Sequence, residues 1–280
     1  MATAVGQKAG HVALVTGANK GIGFAIAAQL ARARPDFHVL VGSRDLARGE
    51  EAVAQLKADG VANVGVLQLD LDDESSITTA ADTVAKTYGG LDVLVNNAGM
   101  AYKGNAFNEE VARTTLATNY YGTKNVTTHF LPLIRDHGRV VNVSSRAGLL
   151  SKLSSDALKQ AFTREDLTLE GLDKLADKFA SDVAKDTFTA EGWPSNTYGV
   201  SKIAVNALTR IVAREEAKNT SRKGVLINAC CPGWCRTDMA GPKAPRSPEE
   251  GADVAVYLAL LPHDSHFNGL FFAERQQIDY

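Results

Sequence analysis

Thr16-Gly17-Ala18-Asn19-Lys20-Gly21-Ile22-Gly23 decides the fold. It stands between an apolar, β-rich run, His11–Thr16, and a helical pattern, Ile22–Ala33. Glycines at 17, 21 and 23 let the backbone turn tightly and come close to a pyrophosphate. The helix start behind them offers free N–H groups and the positive end of its dipole. Gly17, Asn19, Lys20, Gly21, Ile22 and Gly23 are therefore candidate dinucleotide-binding residues.

Outward from this turn, strands and helices alternate. Strands are expected at Phe37–Val41, Val64–Leu69, Leu91–Val95, Arg139–Ser144, Val225–Ala229 and Leu270–Phe272. Helices are expected at Leu46–Lys57, Glu74–Tyr88, Glu109–Ile134, Tyr198–Lys218 and Pro248–Leu260, the third with a break near Gly122 or Pro132 if anywhere. Near-continuous apolar strands such as Val12-Ala13-Leu14-Val15 suit a parallel sheet buried on both faces. The alternation implies right-handed crossovers and an α/β fold, a doubly wound, Rossmann-type parallel sheet. Residues from about Ser151 to Ser195 interrupt it. There Leu169, Leu172, Ala176, Phe179 and Val183 recur at helical spacing, with Glu170, Asp173, Asp177 and Lys178 facing the other way. The stretch is too short for its own core, so it reads as a helical insertion in a single domain spanning 1–280.

The composition excludes several classes. At 45% hydrophobic the chain can bury a full core, which rules out global disorder. A net charge of -2 argues against a general nucleic-acid binder. No apolar run approaches a membrane span. Met1–Gly10 lacks the apolar core of a signal peptide, Ala2 leaves no glycine for myristoylation, and Tyr280 closes no retrieval or prenylation motif. The 3 cysteines, Cys230, Cys231 and Cys235, do not form a disulfide framework and suit a reducing compartment. The expectation is a cytoplasmic protein whose sequons at Asn125, Asn142 and Asn219 are chance. The cysteines lack a nearby histidine that would complete a zinc set, so no metal is expected.

The end of the second strand reads the cofactor's ribose. An acidic residue there would bond a 2′-hydroxyl and repel a 2′-phosphate. This chain has Ser43-Arg44 instead, with Asp45 placed to cap the next helix. Arg44 and Lys20 favour NADP(H), the alternative being two solvated charges. Asp70 and Leu71 close the third strand where an adenine would lie, though Asp70 equally suits a turn cap.

Tyr198 and Lys202 stand four apart, on one helical face. An ammonium beside a phenol lowers its pKa from about 10 and readies it as a general acid. Spacing alone would equally give a solvated pair. Ser144 ends the fifth strand, where ligands meet a doubly wound sheet; it suits a carbonyl substrate or a cap. Asn96 and Asn97 end the fourth strand, and Asn119 is a poor helix former in mid-helix, which suggests a polar task or a bend.

Together these motifs resemble the short-chain dehydrogenase/reductase superfamily over nearly the whole chain. Thr16-Gly17 to Gly23, Asn96-Asn97-Ala98-Gly99, Ser144, Tyr198 to Lys202 and Pro232-Gly233 stand in the family's order. Glu191-Gly192-Trp193-Pro194-Ser195, Cys230-Cys231-Pro232-Gly233-Trp234 and Arg236 to Pro242 look most like monomeric NADPH-dependent carbonyl reductases. The resemblance implies NADPH/NADP+ as cofactor and a small-molecule carbonyl substrate. It makes Tyr198 the acid, Lys202 its pKa partner and ribose ligand, Ser144 the orienter of the substrate oxygen, and Asn119 the support of a water path. It places Asn96 and Asn97 by the cofactor ribose, and Pro232, Gly233, Cys235, Arg236 and Thr237 by the nicotinamide and diphosphate. Trp234 becomes a wall of the substrate pocket. The insertion between Ser144 and Tyr198 implies a monomer, because it covers faces through which relatives assemble. Ala101-Tyr102-Lys103 occupy a stretch that serves glutathione conjugates in relatives; a plain loop is the alternative. The implied activity is reduction of apolar ketones, aldehydes and quinones. The alternatives are an NADP-dependent alcohol or hydroxysteroid dehydrogenase and a non-catalytic NADP(H) sensor.

Overall fold

The computed structural model describes residues 10–280; the expectations on Met1 to residue 9 lie outside them. The first half runs β1 (His11–Val15), α1 (Gly21–Ala33), β2 (Phe37–Ser43), α2 (Leu46–Ala58), β3 (Val64–Gln68) and α3 (Glu74–Tyr88). Next come β4 (Leu91–Asn96), α4 (Glu109–Leu116), α5 (Thr123–Phe130) and β5 (Ile134–Val143). The insertion supplies α6 (Asp156–Thr163), α7 (Leu169–Ala184) and α8 (Phe188–Glu191). The chain closes with α9 (Thr197–Glu216), β6 (Leu226–Cys231), α10 (Pro248–Ala259), β7 (Phe271–Ala273) and β8 (Gln276–Ile278).

The strands form one sheet in the order β3-β2-β1-β4-β5-β6-β7-β8. All pairs are parallel except β7 with β8. The strand order reverses between β1 and β4, so a crevice opens at their carboxyl ends. One apolar layer packs α1, α2 and α10 on one face of the sheet. The other packs α3, α4, α5, α9 and the insertion on the opposite face. Val12–Val15 of β1 are fully buried between them, which is why that run carries no polar alternation.

Three expectations need correction. The helix expected over Glu109–Ile134 is interrupted at both places where a break was expected, giving α4, a π-helical turn Ala117–Gly122, α5 and a 3-10 turn Leu131–Leu133. Pro132, the middle residue of that last turn, lacks an N–H to continue an α-helix, and β5 begins at Ile134 rather than Arg139. The final strand starts one residue later than expected and returns as β8 through Glu274 and Arg275 (φ 54° and 61°). Both lie in the left-handed region a two-residue hairpin needs, without the Asn-Gly that usually marks it. In the insertion, Leu172, Ala176, Phe179 and Val183 are buried as the periodicity requires. Asp173 and Asp177, however, do not simply face solvent: both accept hydrogen bonds from tyrosines beside α4.

Arg139 is 3% exposed and has no carboxylate partner among the described residues. Its guanidinium donates to the carbonyls of His137, Gly138, Gly224, Leu261 and Pro262 at 2.7–3.2 Å. It ties the start of β5 to the chain before β6 and after α10. Replacing it with Met would strand those acceptors in a dry site. Arg139→Met is expected to lose about 3 kcal/mol or more of stability, read by urea unfolding. A loss below about 1 kcal/mol would show that water replaces the guanidinium.

Candidate active site

The glycine turn is built for close approach. Gly17 (φ 61°) and Gly21 (φ 58°) lie in the left-handed region. A Cβ on Gly23 would meet the Asn97 side-chain nitrogen and lie 2.5 Å from the Gly17 carbonyl oxygen. Thr16 Oγ1 accepts from the backbone N–H groups of Asn97 (3.0 Å) and Ala98 (2.9 Å), and Asn97 Nδ2 donates to the Thr16 carbonyl at 2.9 Å. Asn97 thus locks the turn against the end of β4. The first turn of α1 holds no acidic residue and no side chain caps it. Its N–H groups and dipole end are available to an anion.

A cleft of about 1030 Å³ runs from this turn along the strand ends to α9. Its wall includes Asn19, Lys20, Gly21, Ile22 and Arg44 at one end, and Ser144, Tyr198, Lys202 and Pro232 at the other. Asp70, Leu71, Asn97, Arg236 and Thr237 line it between. The Arg44 side chain makes no ion pair among the described residues, while Lys20 Nζ lies 2.6 Å from Asp238. Asp45 caps α2 by accepting from the Arg48 N–H at 3.1 Å. Asp70 accepts from the Asp72 N–H at 3.1 Å, as a turn cap does, and also lines the cleft. Size, bare glycines, an uncapped helix start and two cations fit a phosphorylated dinucleotide.

Four expected ligands are placed differently. The Asn96 side chain points under the sheet, donating to Thr127 Oγ1 (3.0 Å) and Asn142 Oδ1 (2.8 Å). Cys235 is buried with its thiol 3.3 Å from the Pro232 carbonyl oxygen, away from the cleft wall. Gly233 (φ 83°) packs against the Arg246 side chain. Trp234 is 57% exposed and is not part of the cleft wall. Conversely, Met100, Lys103 and Met239 line the cleft, although no spacing in the sequence singled out the two methionines.

The reacting end is set by α9. Asn196 caps it by accepting from the Gly199 N–H at 2.9 Å, which puts Tyr198 and Lys202 in its first two turns. Lys202 is 4% exposed, and its Nζ donates to the Val143 carbonyl at 2.8 Å. Burial pulls this ammonium down to about 8. The Lys202 Nζ lies 5.6 Å from the centre of the Tyr198 ring. Burial pushes Tyr198 up to about 12, against a hydrogen bond with the Ser145 hydroxyl that lowers it. Here the expectation of a lowered phenol is corrected: burial outweighs the Ser145 hydrogen bond. Tyr198 is a neutral phenol at pH 7, the protonated form a proton donor needs.

The neighbours are held tightly. Ser144 Oγ donates to the Lys202 carbonyl at 3.3 Å, and Ser201 Oγ to the Tyr198 carbonyl at 2.7 Å. Asn119 sits in the π turn, and both readings of it hold, a bend and a polar task. It accepts from the Met100 N–H at 2.7 Å and donates to the Met100 carbonyl (2.9 Å) and Ser201 Oγ (3.0 Å). Cys230 and Cys231 are buried beside this site, and burial pushes the Cys230 thiol up.

Comparison with known proteins agrees with this geometry. Residues 11–156 match the family described as short chain dehydrogenase, and residues 178–259 the one described as enoyl-(acyl carrier protein) reductase. The chain is 51% identical to carbonyl reductase (NADPH) 1 of Pongo abelii over 271 residues, covering 95% of this chain and 97% of that one. The protein of the same name from Homo sapiens is 50% identical over the same shares. Among solved structures, salutaridine reductase from Papaver somniferum superposes with a TM-score of 0.85 at 32% identity, covering 94% of this chain and 99% of that one.

Proposed function

The chain belongs to the short-chain dehydrogenase family, and on that premise we propose how its site works. It is an NADPH-dependent oxidoreductase that reduces a small carbonyl compound to an alcohol. What carries this function is the neutral Tyr198 phenol and the buried Lys202 ammonium at one end of a cleft whose other end is built for a phosphorylated dinucleotide. The names of relatives about half identical over nearly the full chain support the same activity and cofactor.

The glycine turn, the α1 N-terminus, Lys20 and Arg44 would hold NADPH, which supplies the hydride when bound. Tyr198 donates its phenolic proton to the carbonyl oxygen as charge develops there. Lys202 keeps a positive charge beside that phenol and would also reach the nicotinamide ribose. Ser144 orients the substrate oxygen by turning its hydroxyl from the Lys202 carbonyl. Asn119 holds the loop after β4 and, through Ser201, the first turn of α9. Apolar ketones, aldehydes and quinones form the proposed substrate class, with Met100 and Met239 offering apolar contact.

Further parts of this reading concern the whole protein. A single domain is supported by one continuous sheet. A monomer is supported by α7 packing over α4 and α9. A cytoplasmic location is supported by three free, buried thiols; among the described residues no helix is long and apolar enough to cross a membrane. Glutathione conjugates as ligands are supported by Lys103 in the cleft beside a 38% exposed Tyr102.

The test is NADPH oxidation with menadione, an aromatic aldehyde and isatin, beside NADH and across pH. Fast consumption with NADPH alone is expected. Reduction should be flat below pH 7 and fall as Lys202 discharges above about 8, while alcohol oxidation, which needs the Tyr198 phenolate, should rise toward 12. Tight NADPH binding without turnover would favour a sensor; a preference for alcohol oxidation with NADP+ would favour a dehydrogenase.

A further inference from the structure

The π turn Ala117–Gly122 between α4 and α5 is a rare form that places an extra residue in a helical turn, often beside functional sites. Its inner side carries Asn119, fully buried, which holds both backbone groups of Met100 and the Ser201 hydroxyl. Its outer side carries Tyr120 and Tyr121. Consecutive residues of an α-helix point about 100° apart. Yet both hydroxyls reach one face of α7: Tyr120 donates to Asp173 and Tyr121 to Asp177, each at 2.7 Å, with the rings 4.8 Å apart. Lys124 on α5 closes the cluster, with Nζ 2.8 Å from both Asp173 carboxylate oxygens.

We propose that Asp173, on the insertion, is a positioning residue for the reduction: by gripping Tyr120 and Lys124 it holds the π turn in register and so aims the Asn119 amide. This rests on the carbonyl-reductase reading above. Relaxation of the turn to an α-helix would remove one residue from it and rotate one flank by about 100°, taking Asn119 off Met100 and Ser201. Loss of the Asp173 carboxylate leaves the fully buried Tyr120 hydroxyl unpaired and the Lys124 ammonium without its counter-charge, so the register loses its outer support. The Tyr121 bond to Asp177 is exposed and holds less. The insertion is then coupled to the reacting groups as well as covering a helix face.

The experiment compares Asp173→Ala, Asp173→Asn and Tyr120→Phe, each alone and combined with Asn119→Ala. Asp173→Ala should lower kcat about tenfold or more, with the NADPH dissociation constant, read by fluorescence, changed less than about twofold. Asp173→Asn, which keeps an acceptor for Tyr120, should recover part of the loss. In the Asn119→Ala background Asp173→Ala should cost nothing more, because both act through one amide. Hydrogen exchange of the Met100 N–H, which bonds to Asn119, should quicken in Asp173→Ala. A lower Tm with kcat and Met100 exchange unchanged, or losses that multiply, would overturn the proposal. Should Asp173→Ala fail to fold, Tyr120→Phe, which removes one oxygen, decides by the same readouts. A wild-type protein that reduces none of the carbonyls would fail the parent reading instead, and Met100 exchange would still report on the clamp.

Discussion

Tyr198→Phe is expected to cut carbonyl turnover by about a thousandfold or more, within the range general acids supply, while leaving NADPH affinity nearly intact. The expectation follows from what the substitution removes. Phenylalanine keeps the ring, and with it the packing at the start of α9, but deletes the phenolic proton beside the Lys202 ammonium. Lys202 would keep its bond to the Val143 carbonyl, since that bond does not involve the phenol. Ser144 and Ser145 hydroxyls remain, but neither is acidic enough to replace a phenol. The measurements are single-turnover reduction of menadione and NADPH fluorescence on the same variant. Substantial residual turnover would mean that water or Ser144 protonates the oxygen. Lost NADPH binding would mean that the hydroxyl serves the cofactor rather than the substrate.

How far the sequence alone reaches is clear from particular residues. The glycine turn was legible because its glycines sit where left-handed torsions and close approach leave no alternative, at Gly17, Gly21 and Gly23. Tyr198 and Lys202 were legible because four-residue spacing on a helix fixes a shared face. The sheet followed from apolar strands such as Val12–Val15. What spacing could not supply is orientation. Asn96 and Asn97 are adjacent at one strand end, so they point to opposite faces: Asn97 to the glycine turn, Asn96 to Asn142 below. Cys235 turns inward on a loop that has no period to read. Asn119 and Gly122 are poor helix formers and marked a bend, but the partners of Tyr120 and Tyr121 lie far along the chain, in Asp173 and Asp177, where no local spacing points. The pKa of Tyr198 needed the burial of the site, which no local motif encodes.

Arg44→Asp is expected to lower the preference for NADPH over NADH about a hundredfold or more, because it removes a charge-assisted bond and adds repulsion toward a 2′-phosphate. Arg44 is the better placed of the two cations. It follows directly on β2 where the cofactor's ribose would lie, its side chain makes no ion pair among the described residues, and Asp45 behind it is engaged as the cap of α2. Lys20 is already satisfied by Asp238 at 2.6 Å, so Lys20→Met should have the smaller effect. An aspartate at 44 would also accept a hydrogen bond from a free 2′-hydroxyl, so NADH should gain while NADPH loses. The ratio of kcat/KM for the two cofactors, measured at low and high salt, reads this directly. The change should shrink as salt rises, since Arg44 is exposed and its field is screened. An unchanged ratio would place the 2′-phosphate on Lys20 alone, and Lys20→Met would then show the larger loss.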